Sequence, residues 1–299
     1  MARGRAAARR RDLIGYAFLA PWLIGFLCFS LGPVLASLYL SFTKFDLLSP
    51  ARWIGTENYM RMFSADPRFW QALKVTFSYM AMEVPLKLAF ALAIAVALDK
   101  AVRAGSLYRA LFYIPSLLGG SVAIAVLWRQ MFEGNGTLNQ VLLWLFGFKG
   151  PSWISTPDTA LYTLVLLAVW QFGSPMIIFL AGLRQVPQDL YEAASMDGAG
   201  AWRRFRDITL PLMFPAVLAG TLLAFTFSFD DVIISLFVQR PGTSTLPIHI
   251  LSSFKPGLKG DVAAIVVITL GVSLIGIMTA ALLLMRGERR GRAFGGMLE

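Results

Sequence analysis

Residues 191–212 read YEAASMDGAGAWRRFRDITLPL: small side chains, the isolated Glu192, a Gly at 198, an aromatic and basic patch at 202–206 and Pro211. Stretches of nearly pure hydrocarbon, about 160–183 and 210–230, flank this insert. A polar insert between two such runs reads as a loop that returns the chain from one membrane span to the next. The fold therefore turns on whether the flanking runs cross a bilayer.

Composition says that they do. Of 299 residues, 57% are hydrophobic and only 15% charged, and the mean hydropathy is +0.65. Such a balance belongs to polytopic membrane proteins. A hydrocarbon core of roughly 30 Å takes about 20 apolar residues per helix. Six stretches qualify, at about 14–41, 72–98, 110–132, 160–183, 210–230 and 262–285. The Arg-rich leader MARGRAAARRR resembles the n-region of a signal peptide. The apolar run behind it exceeds the ~7–15 residues of an h-region and has no clear cleavage site, so it is expected to stay as a membrane helix. The expected organisation is a basic segment 1–13, an all-α six-helix transmembrane domain 14–285 and a tail 286–299.

Orientation follows from Lys and Arg. With both termini on one side, that side carries twice as many basic residues as the other, among them the Arg cluster at 3–11, Arg184, Arg203, Arg204, Arg206 and the Arg cluster at 286–292. The positive-inside rule puts both ends and the 184–211 loop in the cytoplasm. Within that loop Pro187 suits a first helical turn, Leu190, Ala193 and Ala194 recur at helical spacing, and Gly198 is a natural stop. A second short helix, about 201–207, is expected to end before Pro211, which lacks an N–H. The bland use of this pair is an interfacial anchor seating Trp202 and Arg203 at the headgroups.

Glu192, Ala193, Ala194, Gly198, Ile208, Leu210 and Pro211 fit, at every offset, the pattern E-A-A, three residues, Gly, nine residues, I-x-L-P. This resembles the EAA loop of the permease subunits of binding-protein-dependent ABC importers. Residues 16–60, with APWLIGFLCFSLGPVLASLYLSFT and WIGTENYMRMF, and residues 70–138, from WQALKVTFSY to GTLN, are similar to sugar permeases of the maltose and glycerol-phosphate type. After Pro211 the stretch SFDDVIISLFVQRPGTSTLPIHILSSFKPGL is more similar to polyamine permeases, which leaves a sugar or sugar derivative as the expected solute and a polyamine such as spermidine or putrescine as the alternative. The resemblance implies a multi-pass subunit of the cell (inner) membrane that works with two cytoplasmic ATP-binding subunits, a second homologous permease and an external solute-binding protein. It implies no cofactor, and it makes the loop the ATPase-docking site, with small Ala193 and Ala194 entering a groove and Glu192 offering an anchor to a partner's cation.

Other classes fare worse. No G-x-x-x-x-G-K-[ST] motif occurs, so ATP hydrolysis must come from another chain. An intramembrane enzyme is a remote alternative: His249 is the only histidine, and neither H-E-x-x-H nor G-x-S-x-G is present. A secondary transporter would more often show two related halves. Cys28 lies in an apolar stretch and offers neither a disulfide nor a thiol metal site. The net charge of +10 sits beside hydrophobic spans rather than on a basic face, which serves topology and not nucleic acid.

Polar groups at membrane depth are costly and mark candidate solute pathways. Trp170, Gln171 and Ser174 fall mid-span in the fourth stretch, and Ser228, Asp230 and Asp231 end the fifth. An aromatic face with amide and carboxylate acceptors suits sugar hydroxyls, while paired carboxylates also suit ammonium groups. Packing between helices is the alternative use of Trp170 and Gln171, and an outer-interface helix end that of the two Asp. Glu83 and Lys87 are i,i+4 neighbours beside Pro85 and are expected to neutralise each other inside the helices. The topology is directly testable: reporters inserted near Gly198 and fused after Glu299 should read cytoplasmic and one near Asn135 external. A cytoplasmic signal at Asn135 would contradict the span count.

Overall fold

The computed structural model describes residues 15–46, 48–99, 105–229, 231–232, 235–236, 244–254, 257 and 259–295. Most of these are helical. Three helices are long and apolar enough to cross a membrane alone, and up to six spans result if each of three bent helix pairs counts as one. Helix α1 is Gly15–Ser41, and a two-stranded antiparallel hairpin follows, β1 Thr43–Lys44 with β2 Arg52–Trp53. Then come α2 Glu57–Ala65, α3 Pro67–Asp99, α4 Gly105–Leu118, α5 Val122–Phe132, α6 Thr137–Phe146, α7 Pro157–Trp170 and α8 Gly173–Leu183. The remaining helices are α9 Gln188–Met196, α10 Ala201–Leu212, α11 Phe214–Phe229, α12 Leu246–Phe254 and α13 Gly260–Gly295.

The chain divides into two compact units, residues 1–66 with 252–271, and residues 67–251 with 272–299. In the first, the buried Asn58 amide donates to the Ser41 and Thr43 carbonyls at 2.8 and 2.9 Å, and Ser41 shares a 2.7 Å bond with the Tyr59 hydroxyl. These bonds tie α2 to the hairpin base, where Phe42 stacks on Trp53 at 5.5 Å. In the second, Ala91, Ala95 and Leu98 of α3 pack with Phe172, Met176, Phe179 and Leu183 around α8 and with Met213. Small residues on α3 let the backbones approach, the usual means of association where lipid is as apolar as the side chains.

Prolines shape the helices, because each removes a donor and crowds the carbonyl four residues back. Pro33 and Pro211 are both preceded by a π-turn, Leu27–Leu31 and Phe205–Thr209, in which Gly32 N–H donates to Leu27 O and Leu210 N–H to Phe205 O. The wider turn moves the crowded carbonyl aside, so α10 does not stop before Pro211 as expected but runs to Leu212 and bends by 69° into α11. The spans expected at 110–132 and 160–183 are also bent. The first breaks at Gly119–Ser121 with a 91° bend, and the second at Gln171–Phe172 with one of 45°. Hydropathy measures the length of an apolar run and not its direction, which is why both read as continuous. The span expected at 72–98 begins earlier, at Pro67, and the last helix runs on to Gly295 with its apolar part over 260–279.

Gln171 O would normally accept from the N–H of residue 175, but that residue is Pro175. The Ser116 hydroxyl of α4 donates to it instead at 2.9 Å, and Ser116 Oγ accepts from Ser174 N–H at 3.1 Å. One side chain thus serves a carbonyl and an N–H at the break, groups for which hydrocarbon offers no water. The approach is close: a Cβ on Gly173 would lie 2.7 Å from Phe112 O and 2.8 Å from Tyr113 Cα, backbone atoms that cannot swing away. We expect Ser116→Ala to lower the thermal midpoint of the purified protein modestly, by a hydrogen bond worth about 0.6–2 kcal/mol in a membrane. Gly173→Ala should cost more, about 1–3 kcal/mol of overpacking. Pro175→Ala, which restores the missing N–H, should recover much of the Ser116→Ala loss, and an additive double variant would contradict the bridge.

Candidate functional site

The polar loop folds into two short helices pinned to each other. Pro187 stands just outside α9 as its N-cap, at ψ 133°, and Asp189 places negative charge on the first turn. At the far end Gly198 takes φ +74°, a conformation that strains any residue with a Cβ. There Ala199 N–H donates to Ala194 O at 2.8 Å and Gly198 N–H to Ser195 O at 3.1 Å, which satisfies the carbonyls left over by the helix end. Gly200 caps α10 and accepts from Arg204 N–H at 3.0 Å.

Across this turn Tyr191 and Thr209 share a 2.8 Å hydroxyl bond, and Arg204 Nη1 donates to Ser195 Oγ at 2.9 Å. Neither pair carries a sequence signal, since the partners are 18 and 9 residues apart on different helices. Glu192 and Ala193 are exposed, Ala194 and Ile208 half-buried, and Leu210 and Pro211 exposed. Trp202 is 71% exposed and stacks on Phe205 at 5.8 Å. Arg206 donates to Asp207 at 2.7 Å, and this bond, with the charge of Arg206 and Arg203, holds the Asp207 carboxyl below the usual carboxylate range. Glu192 is exposed and has no hydrogen bond or ion pair among the described residues.

A cavity of ≈ 630 Å³ lies at the two helix breaks. Ser116, Gly120 and Ser121 line it from the α4–α5 break, and Gln171 and Ser174 from the α7–α8 break. Ser228 at the end of α11 and Asp231 beyond it also line the space, as do Tyr79, Glu83 and Lys87 from α3. Of the residues singled out from sequence, the structure brings together Gln171, Ser174, Ser228 and Asp231. Trp170 does not line the cavity and sits 6.2 Å from the Trp128 ring, while Asp230 lies outside the described residues.

Glu83 and Lys87 make the expected i,i+4 pair at 2.8 Å, with side chains 1% and 8% exposed. Their place on the cavity wall goes beyond the sequence reading, although a charged pair beside Pro85 in an apolar run is the available signal. Two buried polar atoms on this wall, Glu83 Oε2 and Ser228 Oγ, find no hydrogen-bond partner among the described residues. His249 lies within α12, half-buried.

The comparisons agree with this architecture. Residues 88–286 match the family model described as binding-protein-dependent transport system inner membrane component. The probable ABC transporter permease protein YesP of Bacillus subtilis is 49% identical over 215 residues, 72% of this chain and 70% of that one. The trehalose/maltose transport system permease protein MalF of Thermococcus litoralis is 31% identical over 81% of this chain and 83% of its own length. The lactose transport system permease protein LacF of Rhizobium radiobacter is 30% identical over 90% and 94%. Among solved structures, a chain of a bacterial ABC transporter involved in the import of the acidic polysaccharide alginate superposes with a TM-score of 0.78 at 21% identity, covering 93% of this chain and 96% of that one, a likeness of fold. The chain therefore belongs to the inner-membrane permease components of binding-protein-dependent ABC importers: it is a multi-pass transport subunit and not an enzyme.

Proposed function

We propose that this permease passes an uncharged, hydroxyl-rich solute, a sugar or sugar derivative, received from an external solute-binding protein. The observation that carries the reading is the cavity at the helix breaks, whose wall presents serine hydroxyls, the Gln171 amide, a charge-neutral Glu83–Lys87 pair and the carboxylate of Asp231. Such a wall offers donors and acceptors in close alternation, which sugar hydroxyls need and a chain of ammonium groups does not. Two of the relatives named above support the same class, since their names refer to trehalose/maltose and lactose. LacF aligns over 90% of this chain, so the sugar likeness is not confined to residues 16–138.

In this reading both termini are cytoplasmic, with 1–13 and 286–299 as tails. Two ATP-binding subunits dock from the cytoplasm, one of them on α9 and α10 of this chain and the other on a second homologous permease. Glu192, Ala193 and Ala194 enter the ATPase groove. The Tyr191–Thr209 and Arg204–Ser195 bonds make α9 and α10 move together. Because α10 continues through Met213 into α11, whose last turn carries Ser228 to the cavity wall, motion at the loop reaches the solute path through a helix that is bent but hydrogen-bonded across the bend, Val217 N–H to Met213 O at 2.9 Å.

The test is ATP-driven uptake by proteoliposomes holding the permease pair, its ATPase subunits and its binding protein. Wild type is expected to accumulate a neutral oligosaccharide and to ignore spermidine. Glu192→Lys should remove on the order of 2–5 kcal/mol of docking, as for one member of a buried interfacial pair. Gly198→Val should misdirect α10. Both variants should insert normally, yet lose solute-stimulated ATP hydrolysis and uptake together. Spermidine uptake without sugar uptake would establish the amine reading, and normal coupling in both variants would reduce the loop to a headgroup anchor.

A further inference from the structure

Resting on that reading, we infer that Glu83 and Lys87 are specificity-determining residues, which together bind a vicinal diol of the solute. The pair sits mid-way along α3, 33 residues long, one helical turn apart and astride Pro85. Lys87 Nζ donates to Glu83 Oε1 at 2.8 Å, and this is the one bond either side chain makes among the described residues. A carboxylate has room for about four donors and an ammonium group carries three, so each retains unused capacity. Glu83 Oε2 is buried, on a residue of the cavity wall, with no partner among the described residues.

Were internal neutralisation the pair's whole role, this would be an expensive way to fill a helix. Taking two charges out of water is repaid only when further hydrogen bonds satisfy the remaining lone pairs and protons, and apolar residues of similar volume usually do as well. The unmet hydrogen bonds lie where a solute passes. Ser228 Oγ, on the same wall and equally without a partner among the described residues, adds a third polar atom with capacity to spare.

The chemistry of these unmet bonds selects the ligand. Each hydroxyl of a vicinal diol both donates and accepts, and the two oxygens are adjacent. An acceptor oxygen of Glu83 beside an N–H of Lys87 matches that arrangement, with the charges cancelling so that the solute need bring none. A polyamine has donors only, so although Asp231 adds a negative charge to the same wall, it would set its own charge against Lys87 and leave the Lys87 donors without an acceptor. A polyanion would set its charge against Glu83 in the same way. The pair therefore reads neutral, hydroxyl-rich solutes and discriminates against both kinds of ion.

The experiment compares a transported neutral sugar with its monodeoxy analogues in proteoliposomes of the full transporter, at saturating loaded binding protein. Wild type should lose about tenfold or more in uptake rate for the analogue lacking the recognised hydroxyl, the scale of one charge-assisted hydrogen bond. In Glu83→Gln that discrimination should shrink severalfold. The double variant Glu83→Lys with Lys87→Glu keeps an i,i+4 pair and its neutrality, so a purely structural role predicts wild-type discrimination for it. We expect it to insert and assemble normally and yet to show altered discrimination. Sugar uptake with wild-type discrimination in both variants would overturn this inference alone. A wild-type transporter that moves no neutral sugar would overturn the proposed function and this inference with it.

Discussion

The bond on which the cavity depends is the one from the Ser116 hydroxyl to the carbonyl of Gln171. In hydrocarbon a backbone carbonyl without a donor has no water to turn to, so a helix can break only where something else supplies the missing group. Pro175 takes the natural donor away, and Ser116 returns one from a neighbouring helix while accepting from Ser174 N–H. The two breaks are consequently held side by side, and the space at them is lined by residues of both breaks together with Tyr79, Glu83 and Lys87 of α3.

The same constraint explains why the chain tolerates so many prolines in apolar runs. Two of them are absorbed by π-turns, at Leu27–Leu31 and Phe205–Thr209, and one by a hydroxyl from another helix. The choice has consequences for movement. The π-turn keeps α10 hydrogen-bonded through Pro211 as far as the 69° bend at Met213, where the bond from Val217 N–H to Met213 O joins it to α11. The break at Gln171 instead concentrates polar groups at mid-span, where Glu83 and Lys87 face the same cavity from α3. Loop and cavity are thus linked through the bent α10–α11 pair, with the proposed ATPase-docking surface at one end and Ser228 at the other.

Much of this was legible in the sequence. Apolar run length points to six spans, Gly198 marks the turn it makes, the spacing from Glu192 to Pro211 identifies the loop, and the i,i+4 offset pairs Glu83 with Lys87. The directions of the spans were not legible, because Gly119, Gly120 and Gly173 sit within runs that stay apolar whether straight or bent. At Pro211 the sequence misleads, since a proline removes a donor in any helix and only three-dimensional geometry shows whether a π-turn accommodates it. Tyr191 with Thr209 and Ser116 with Gln171 are partners across a turn or between helices, at separations of 18 and 55 residues where periodicity carries no information. Trp170 stands out as an aromatic at mid-span, yet its ring packs toward Trp128 and not into the cavity.

The central claim is that the space at the helix breaks is the watered path of the solute. Cysteine accessibility in the assembled transporter tests it most directly, starting from Cys28→Ser to clear the native thiol. Cysteines at Ser174 and Ser228 should react with a water-soluble, membrane-impermeant thiol reagent from one side, be shielded by transported sugar, and change their reactivity when ATP closes the ATPase subunits. A cysteine at the exposed apolar position of Leu86, outside the cavity, should stay unreactive throughout. Indifference of both cavity positions to reagent, sugar and nucleotide, with Leu86 behaving no differently, would contradict the account.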